Sequence, residues 1–246
     1  MVERKFSELH LAALYDPYCG RECRADFRFY LPLVMSAKAV LDVGCGTGAL
    51  LHWAREKGHT GRLVGLDPGQ GMLEVARTRS DIEWIPGDLT TVAWEREFDL
   101  AVMTGHAFQQ LVEDDLIRAS LASIHAALAV DGVVAFETRN PLARAWEQWT
   151  PEHGVDFVGA DGEAVRLEKE VETPVSGDVV RFTTTYTSAG WDQQELSHGT
   201  LRFLDRDKLS AFLHDAGFVI EDQFGDWDRS QVLDANPEII TLARRT

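Results

Sequence analysis

Short apolar runs alternate with segments of helical periodicity through the first half of the chain. The mostly apolar runs are residues 39–43, 63–66, 82–85, 98–103 and 133–136. The segments at helical spacing are residues 49–57, 70–79 and 113–129, with Asp131-Gly132 expected to end the last one. Nearly continuous apolar runs are typical of strands buried on both faces. Alternating strands and helices therefore predict an α/β fold with a Rossmann-like, doubly wound parallel sheet.

The pattern changes near residue 152. Turn sequences at 160–163 and 176–178 separate β-rich stretches, which are residues 165–171, 179–187 and 195–203. Such spacing predicts an antiparallel meander of three or four strands inserted after the fifth strand. A helix over 206–215 and two edge strands at 218–220 and 239–242 complete the chain.

Residues 1–37 are mixed polar and aromatic, and they predict one or two amphipathic helices ahead of the sheet. We therefore expect one domain over residues 1–246. Residues 1–37 would form a helical cap, and the insertion of about residues 152–204 would cover the substrate as a lid.

Charge narrows the partners of this chain. The net charge is −16, from 40 acidic and 24 basic residues. An acidic surface repels phosphate backbones and anionic lipid, so we expect a small molecule or another protein as the partner, with no nucleic acid or membrane contact. Cys19, Cys23 and Cys45 lack the spacing of a metal site, so we expect reduced thiols, no metal and a cytoplasmic location. We also expect a monomer or a homodimer.

A glycine-rich turn follows the first strand. Residues 40–48 read V-L-D-V-G-C-G-T-G and lead into a helix, whose free N–H groups favour a carboxylate or phosphate. The spacing of Gly44, Gly46 and Gly48 is G-x-G-x-G, which differs from the dinucleotide pattern G-x-G-x-x-G. Asp42 would repel a pyrophosphate but would suit an ammonium group. The turn therefore indicates a zwitterionic amino-acid ligand.

Two further acids stand at the next strand ends. Asp67, in Gly65-Leu66-Asp67-Pro68, is placed to accept both hydroxyls of a ribose. Asp88, in Pro86-Gly87-Asp88-Leu89, is placed to accept from an adenine amino group, with Met72 and Leu89 beside the ring. Amino acid, ribose and adenine are the parts of S-adenosylmethionine.

Five stretches in this order resemble the class I S-adenosylmethionine-dependent methyltransferases of the small-molecule type (type 11/12-like). The stretches are VLDVGCGTG at 40–48, GLDPGQGML at 65–73, PGDL at 86–89, FDLAVMTGHAF at 98–108 and DGVVAFETRNP at 131–141. The resemblance implies that the first motif holds the methionine part, Asp67 the ribose and Asp88 the adenine. It also implies a seven-stranded sheet whose last strand, residues 239–242, is antiparallel and inserted between its two predecessors.

The resemblance and the strand ends together give the candidate site. The predicted cofactor-binding residues are Tyr15, Asp42, Gly44, Cys45, Gly46, Gly48, Asp67, Pro68, Met72, Gly87, Asp88, Leu89, Thr104, Gly105 and His106. Tyr15 matches an N-terminal tyrosine that closes over the cofactor in related enzymes, or is part of a buried helix face. His106 is a candidate catalytic base, a cofactor contact or a residue that shapes the pocket. Substrate contact or a structural role is open for the remaining candidates, which are Glu137, Arg139, Asn140, Trp146 and Trp149.

The expected reaction is methyl transfer from S-adenosylmethionine to an N, O or C nucleophile of a small molecule, with S-adenosylhomocysteine as product. Two alternatives remain at this point: a non-catalytic S-adenosylmethionine-binding protein and an NAD-dependent oxidoreductase. A nucleic-acid methyltransferase is disfavoured by the net charge of −16 and by Thr104-Gly105-His106-Ala107, which lacks the N/D-P-P-Y pattern.

Overall fold

Two sheets organise the structure, a computed structural model that describes residues 2–20 and 24–246. The strands are β1 (Ala39–Val43), β2 (Arg62–Asp67), β3 (Glu83–Pro86), β4 (Phe98–Met103), β5 (Leu128–Arg139), β6 (Val155–Val158), β7 (Ala164–Val171), β8 (Val179–Thr187), β9 (Glu195–Arg202), β10 (Phe218–Phe224) and β11 (Glu238–Arg245). The helices are α1 (Arg4–Ser7), α2 (Leu9–Ala12), α3 (Tyr15–Cys19), α4 (Ala25–Ser36), α5 (Ala49–Glu56), α6 (Gln70–Ala76), α7 (Asp114–Ala127) and α8 (Arg206–Asp215).

The larger sheet has seven strands in the order β10-β11-β5-β4-β1-β2-β3. The pairs from β5 to β3 are parallel, whereas β11 is antiparallel to both β5 and β10. This confirms the predicted doubly wound fold, including the insertion of the last strand between its two predecessors. The smaller sheet, β6-β7-β8-β9, is antiparallel throughout, which confirms the predicted meander.

Helices cover both faces of the larger sheet because successive strand residues point to opposite sides. Leu41 packs with α7 and α8 on one face, while its neighbour Val40 packs with α4 and α5 on the other. Both apolar clusters are almost fully buried. Burial on two faces explains why the sequence of β1 and β4 is nearly continuous in apolar residues.

The structure corrects two details of the predicted elements. Asp131-Gly132 does not end a helix: α7 ends at Ala127, and β5 already begins at Leu128. Asp131 has a φ of +62° and lies where the register between β4 and β5 shifts, so this pair marks an irregularity inside a strand. Asp-Gly suits a left-handed backbone in either setting, and the burial of Leu128 in the core favours the strand.

The N-terminal segment also differs from the prediction, because its described residues, 2–20 and 24–37, form four α-helices instead of one or two. Extended backbone at Glu8 ends α1, and Gly20, with a φ of +59°, ends α3. The first three helices are therefore short and pack against other elements, with α1 and α2 lying against α6. The position of Cys23 lies outside the described residues, whereas Cys19 and Cys45 are free thiols.

Candidate functional site

The glycine turn between β1 and α5 depends on left-handed backbone. Gly44, Gly46 and Gly48 have φ values of +73°, +55° and +74°, a region that costs other residues conformational energy. The N–H groups of Gly44 and Cys45 donate to the Leu66 carbonyl, at 2.8 and 3.2 Å, which holds the turn against β2. A Cβ atom at Gly48 would lie 2.3 Å from the Trp84 ring, so Gly48 serves the packing beneath the turn.

Asp67 ends β2 directly beside this turn. Its Oδ2 accepts from the Gly46 N–H at 2.8 Å, and its Oδ1 accepts from the Gly69 N–H at 2.7 Å. Burial raises the pKa of Asp67, and the two backbone donors oppose that change. Each carboxylate oxygen accepts more than one hydrogen bond, so the side chain keeps capacity for ligand hydroxyls.

Asp42 is a buried acid under the turn. The side chain is 1% exposed, and among the described residues its Oδ1 has no hydrogen-bond partner. Burial, reinforced by the nearby Asp67 and Glu137 carboxylates, raises the pKa of Asp42 to about 8. An unpartnered buried carboxylate is costly, and a cationic ligand group close to the turn would offset that cost.

A cavity of about 350 Å³ opens along the strand ends, and we call it the first cavity. Twelve of the predicted cofactor-binding residues line it: Tyr15, Gly44, Cys45, Gly46, Asp67, Pro68, Met72, Gly87, Asp88, Leu89, Thr104 and Gly105. Asp42, Gly48 and His106 do not line this cavity. Asp42 and Gly48 support the glycine turn instead, and His106 belongs to a neighbouring cavity.

Asp88 stands at the far end of the first cavity, on the exposed loop after β3. Its Oδ1 accepts from the Thr90 N–H at 2.8 Å and from the Thr90 hydroxyl at 2.5 Å. These bonds orient the carboxyl group and leave Oδ2 available as an acceptor. Leu89 is buried next to it, which provides an apolar surface for a flat ring.

The N-terminal segment closes over the turn through α3. Asp16 Oδ1 accepts from the Thr47 hydroxyl at 2.7 Å, and this bond fixes α3 to the glycine turn. Tyr15, the neighbouring residue, lines both cavities, and burial raises the pKa of its hydroxyl. Phe6 and Arg24 also line both cavities, and neither residue belongs to a motif that marks it in the sequence.

A second cavity, of about 380 Å³, adjoins the first. The two share a wall made by five residues, which are Phe6, Tyr15, Arg24, Gly105 and Gln110. The remaining walls of the second cavity come from the N-terminal helices, the ends of β5 and β11, the segment after β5 and the antiparallel sheet. They include Arg139, Trp149, Lys169, Phe182, Thr184, Tyr186 and Glu238. The predicted candidates Arg139 and Trp149 thus lie in this second cavity, together with His106.

His106 is fixed in place by two carboxyl groups. Its backbone N–H donates to Glu137 Oε1 at 2.8 Å, while its Nε2 lies 3.0 Å from Glu238 Oε2. Tyr30 donates to the other oxygen of Glu137 at 2.6 Å, which holds this buried acid in position. The backbone at His106 is left-handed, with a φ of +63°.

Burial favours the uncharged form of both members of the His106–Glu238 pair. It raises the pKa of Glu238 to about 8 and lowers the pKa of His106 to about 3. The pair therefore holds two protons below about pH 8 and loses one above it. Nδ1 of His106 makes no hydrogen bond with any part of the chain that the structure describes. No motif or spacing in the sequence points to Glu238, because 132 residues separate it from His106.

Within residues 2–20 and 24–246, which are the residues described, no helix is both long and apolar enough to cross a membrane. The same ranges contain no group of three or more His, Cys, Asp or Glu side chains arranged to hold a metal ion.

Comparison with known proteins agrees with this geometry. A family model described as a methyltransferase domain matches residues 40–132, which include the glycine turn, Asp67 and Asp88. Residues 40–132 are a methyltransferase domain of the class I S-adenosylmethionine-dependent type. S-adenosylmethionine is the cofactor of this methyltransferase.

Two curated relatives extend the methyltransferase likeness. A demethylmenaquinone methyltransferase from Staphylococcus saprophyticus is 28% identical over 192 residues, which cover 75% of this chain and 72% of that protein. A 2-phytyl-1,4-naphtoquinone methyltransferase from Thermosynechococcus vestitus is 34% identical over 126 residues, which cover 49% of this chain and 54% of that protein. This chain therefore aligns with only about half to three quarters of these relatives.

The likeness of fold extends further than the likeness of sequence. The structure of the CcbJ methyltransferase from Streptomyces caelestis superposes with a TM-score of 0.79, covering 98% of each chain at 15% identity. At this identity the match concerns the fold alone. It nevertheless includes the N-terminal helices and the antiparallel sheet, because it spans almost the whole chain.

Proposed function

We propose that this methyltransferase transfers a methyl group from S-adenosylmethionine to an N, O or C nucleophile of a small molecule bound in the second cavity. The wall shared by the two cavities carries this proposal, because it brings an acceptor in one cavity next to a cofactor in the other. The two curated relatives are named for small-molecule acceptors, which supports an acceptor of this kind. The net charge of −16 disfavours a nucleic-acid acceptor.

The residues of the first cavity fit the parts of S-adenosylmethionine. Asp67 would accept from the ribose hydroxyls and Asp88 from the adenine amino group. Asp42, which lies under the glycine turn and does not line the cavity, would attract the ammonium group from there. When bound, the cofactor supplies a methyl group already activated by its sulfonium. The protein therefore needs chiefly to align the acceptor and exclude water.

His106, assisted by Glu238, is the proposed base for acceptors that lose a proton. When the pair holds a single proton, that proton lies between Nε2 and the Glu238 carboxylate, so Nδ1 is free to accept another. The carboxylate would then stabilise the imidazolium that forms. This arrangement predicts a reaction that accelerates as the pair loses its first proton.

We further propose that the chain acts as one methyltransferase domain, with two covering segments. Residues 1–37 would cap the cofactor, and the insertion of about residues 152–204 would form the lid over the acceptor. Direct contacts support this arrangement: Asp16 bonds to Thr47, and Lys169, Thr184 and Tyr186 of the insertion line the second cavity.

Calorimetric titration followed by an acceptor screen tests the proposal. We expect S-adenosylmethionine and S-adenosylhomocysteine to bind and NAD not to bind. Transfer of isotope-labelled methyl to a member of a metabolite panel would then identify the acceptor. Binding of NAD but neither sulfur compound would overturn the proposal in favour of an oxidoreductase. Tight cofactor binding with no transfer across a broad panel would favour a non-catalytic binding protein.

A further inference from the structure

Among the described residues, four Lys or Arg side chains line the second cavity, and they fall into two classes. Lys5 and Arg24 have carboxylate partners: Lys5 Nζ lies 2.8 Å from Glu3 Oε2, and Arg24 Nη2 lies 2.5 Å from Asp26 Oδ2. Arg139 and Lys169 form no ion pair within 4.0 Å anywhere in the described chain. Two positive charges of the cavity wall therefore lack an anionic partner within residues 2–20 and 24–246.

The unpaired cations converge on one aromatic ring. The Arg139 guanidinium lies 5.2 Å from the centroid of Trp149, and the Lys169 ammonium lies 5.3 Å from the same centroid. Apart from these ring contacts, Arg139 donates to the Gln109 amide oxygen at 3.0 Å, and Lys169 forms no hydrogen bond among the residues described. Two like charges beside one ring repel each other and are only partly compensated by it.

Electrostatics agrees with this geometry. Burial, aided by Lys5 and Arg139, lowers the pKa of Lys169 to about 8, and burial also lowers the pKa of Arg139. Glu238 lines the same cavity and interacts with Arg139, but its raised pKa of about 8 keeps it mostly uncharged at neutral pH, so it gives limited compensation. In a chain of net charge −16, a site with surplus positive charge stands out as a place for an anion.

A third, uncharged group completes the site. Thr184 is 1% exposed and lines the second cavity, and its hydroxyl has no hydrogen-bond partner among the described residues. It stands directly opposite Lys169 in the β7–β8 ladder, so the two side chains share one face of the sheet. A hydroxyl, an ammonium and a guanidinium on one cavity wall are the donors that recognise an oxyanion.

We propose that Arg139, Lys169 and Thr184 hold an anionic oxygen group, a carboxylate or a phosphate, of the methyl-accepting substrate. The aromatic residues beside them, Tyr18, Trp149 and Phe182, contact the apolar body of that substrate. The methyl acceptor is thus a small acid, with its charged end toward the antiparallel sheet and its nucleophile toward Gly105 and His106. This inference rests on the proposed function, since it assigns the second cavity to the acceptor.

A binding experiment on the full chain tests the assignment. The protein is first titrated with S-adenosylhomocysteine and then, at saturation, with phenylacetate, phenyl phosphate and the uncharged phenylacetamide. We expect at least one anion to bind about tenfold more tightly than the amide. Preference for phenylacetate identifies a carboxylate site, and preference for phenyl phosphate identifies a phosphate site.

Substitutions at Lys169 and Thr184 test whether these two side chains bind the anion. Lys169→Met should reduce the preference for the anion roughly tenfold, and Thr184→Val, which keeps its shape, should reduce it roughly threefold. Lys208→Met, which removes an exposed lysine on α8, should change nothing. Melting temperature and S-adenosylhomocysteine affinity show whether each variant is folded. If Lys169→Met does not fold, the anion preference of Thr184→Val alone tests the proposed anion site.

The two proposals fail in different ways. If phenylacetamide binds as well as both anions, or if no anion binds, the anion site is wrong even when S-adenosylhomocysteine binds. An anion preference that survives in both folded variants would also overturn it. If S-adenosylhomocysteine does not bind, the proposed function fails, and the anion titration without it still decides the anion site.

Discussion

The two adjoining cavities have nearly equal volumes, about 350 and 380 Å³, but they are built differently. The first depends on backbone conformation at consecutive strand ends, where Gly44 and Gly46 adopt left-handed backbone and Asp67 holds the turn. The second depends on charged and aromatic side chains from distant segments. The proposed cofactor site is therefore a local property of the chain, whereas the proposed acceptor site requires the assembled fold. Four predictions test this difference, in order of decreasing expected effect.

The first concerns the base in the second cavity. His106→Asn keeps a residue that tolerates the left-handed backbone, with φ +63°, but removes the imidazole. We expect the rate of transfer to a proton-losing acceptor to fall by about 10²-fold or more, with unchanged S-adenosylhomocysteine affinity. Single-turnover kinetics and calorimetry measure the two quantities. An unchanged rate would mean that His106 only shapes the cavity.

The pH dependence of the same reaction sharpens this test. Because the pKa of Glu238 is raised to about 8, the pair carries two protons at pH 6 and becomes a base on losing one. The rate should therefore rise with pH through about 8 and then level off. Glu238→Gln should abolish that rise, and a rise that persists in this variant would assign it to another group.

The second prediction concerns the first cavity. Asp67→Ala removes the acceptor for the Gly46 and Gly69 N–H groups and the proposed ribose contact. Affinity for S-adenosylhomocysteine should fall by about 100-fold, which corresponds to the loss of two charge-assisted hydrogen bonds. Asp207→Ala, which alters a side chain exposed on α8, is the matched control. Equal affinity in the Asp67 variant would contradict the proposed ribose contact.

The third prediction tests the dependence on backbone geometry. Gly48→Ala and Gly162→Ala both place an alanine at positive φ, but only at Gly48 would the Cβ atom meet another group, the Trp84 ring at 2.3 Å. We expect Gly48→Ala to lower the free energy of unfolding by about 3 kcal/mol and Gly162→Ala by about 1 kcal/mol. Urea denaturation measures both. Equal losses would show that the Trp84 contact is easily relieved.

The smallest effect concerns the proton on Asp42. Without a ligand the pKa of Asp42 is raised to about 8 by burial, so the carboxyl is mostly protonated at pH 7. A bound ammonium favours the carboxylate and lowers this pKa, so binding at pH 7 should release up to one proton, and affinity should increase between pH 6 and 8. Calorimetry in buffers of different ionisation enthalpy counts the protons. Asp42→Asn should release fewer, and equal release would place the ammonium elsewhere.

The sequence alone determined the larger sheet and most of the first cavity. Buried parallel strands require continuous apolar runs, and the left-handed turn requires glycine at 44, 46 and 48. Because parallel strands end at the same edge, the order of Asp67 and Asp88 along the chain already places them side by side. The sequence did not determine the structure at Asp131-Gly132, because this pair suits a helix end as well as an irregularity in a strand. The packing of Leu128 in the core favours the strand.

Tertiary structure alone decided the second cavity. The approach of Glu238 to His106 joins the start of β11 to the end of β4, and no periodicity of the chain encodes that distance of 3.0 Å. Lys169 and Thr184 likewise become neighbours only through the register of β7 and β8. A glycine turn can be predicted from the sequence because its backbone conformation depends on the residues of the turn itself. An excess of positive charge in a cavity depends on which acidic partners its cations lack. Those partners are known only from the complete tertiary structure.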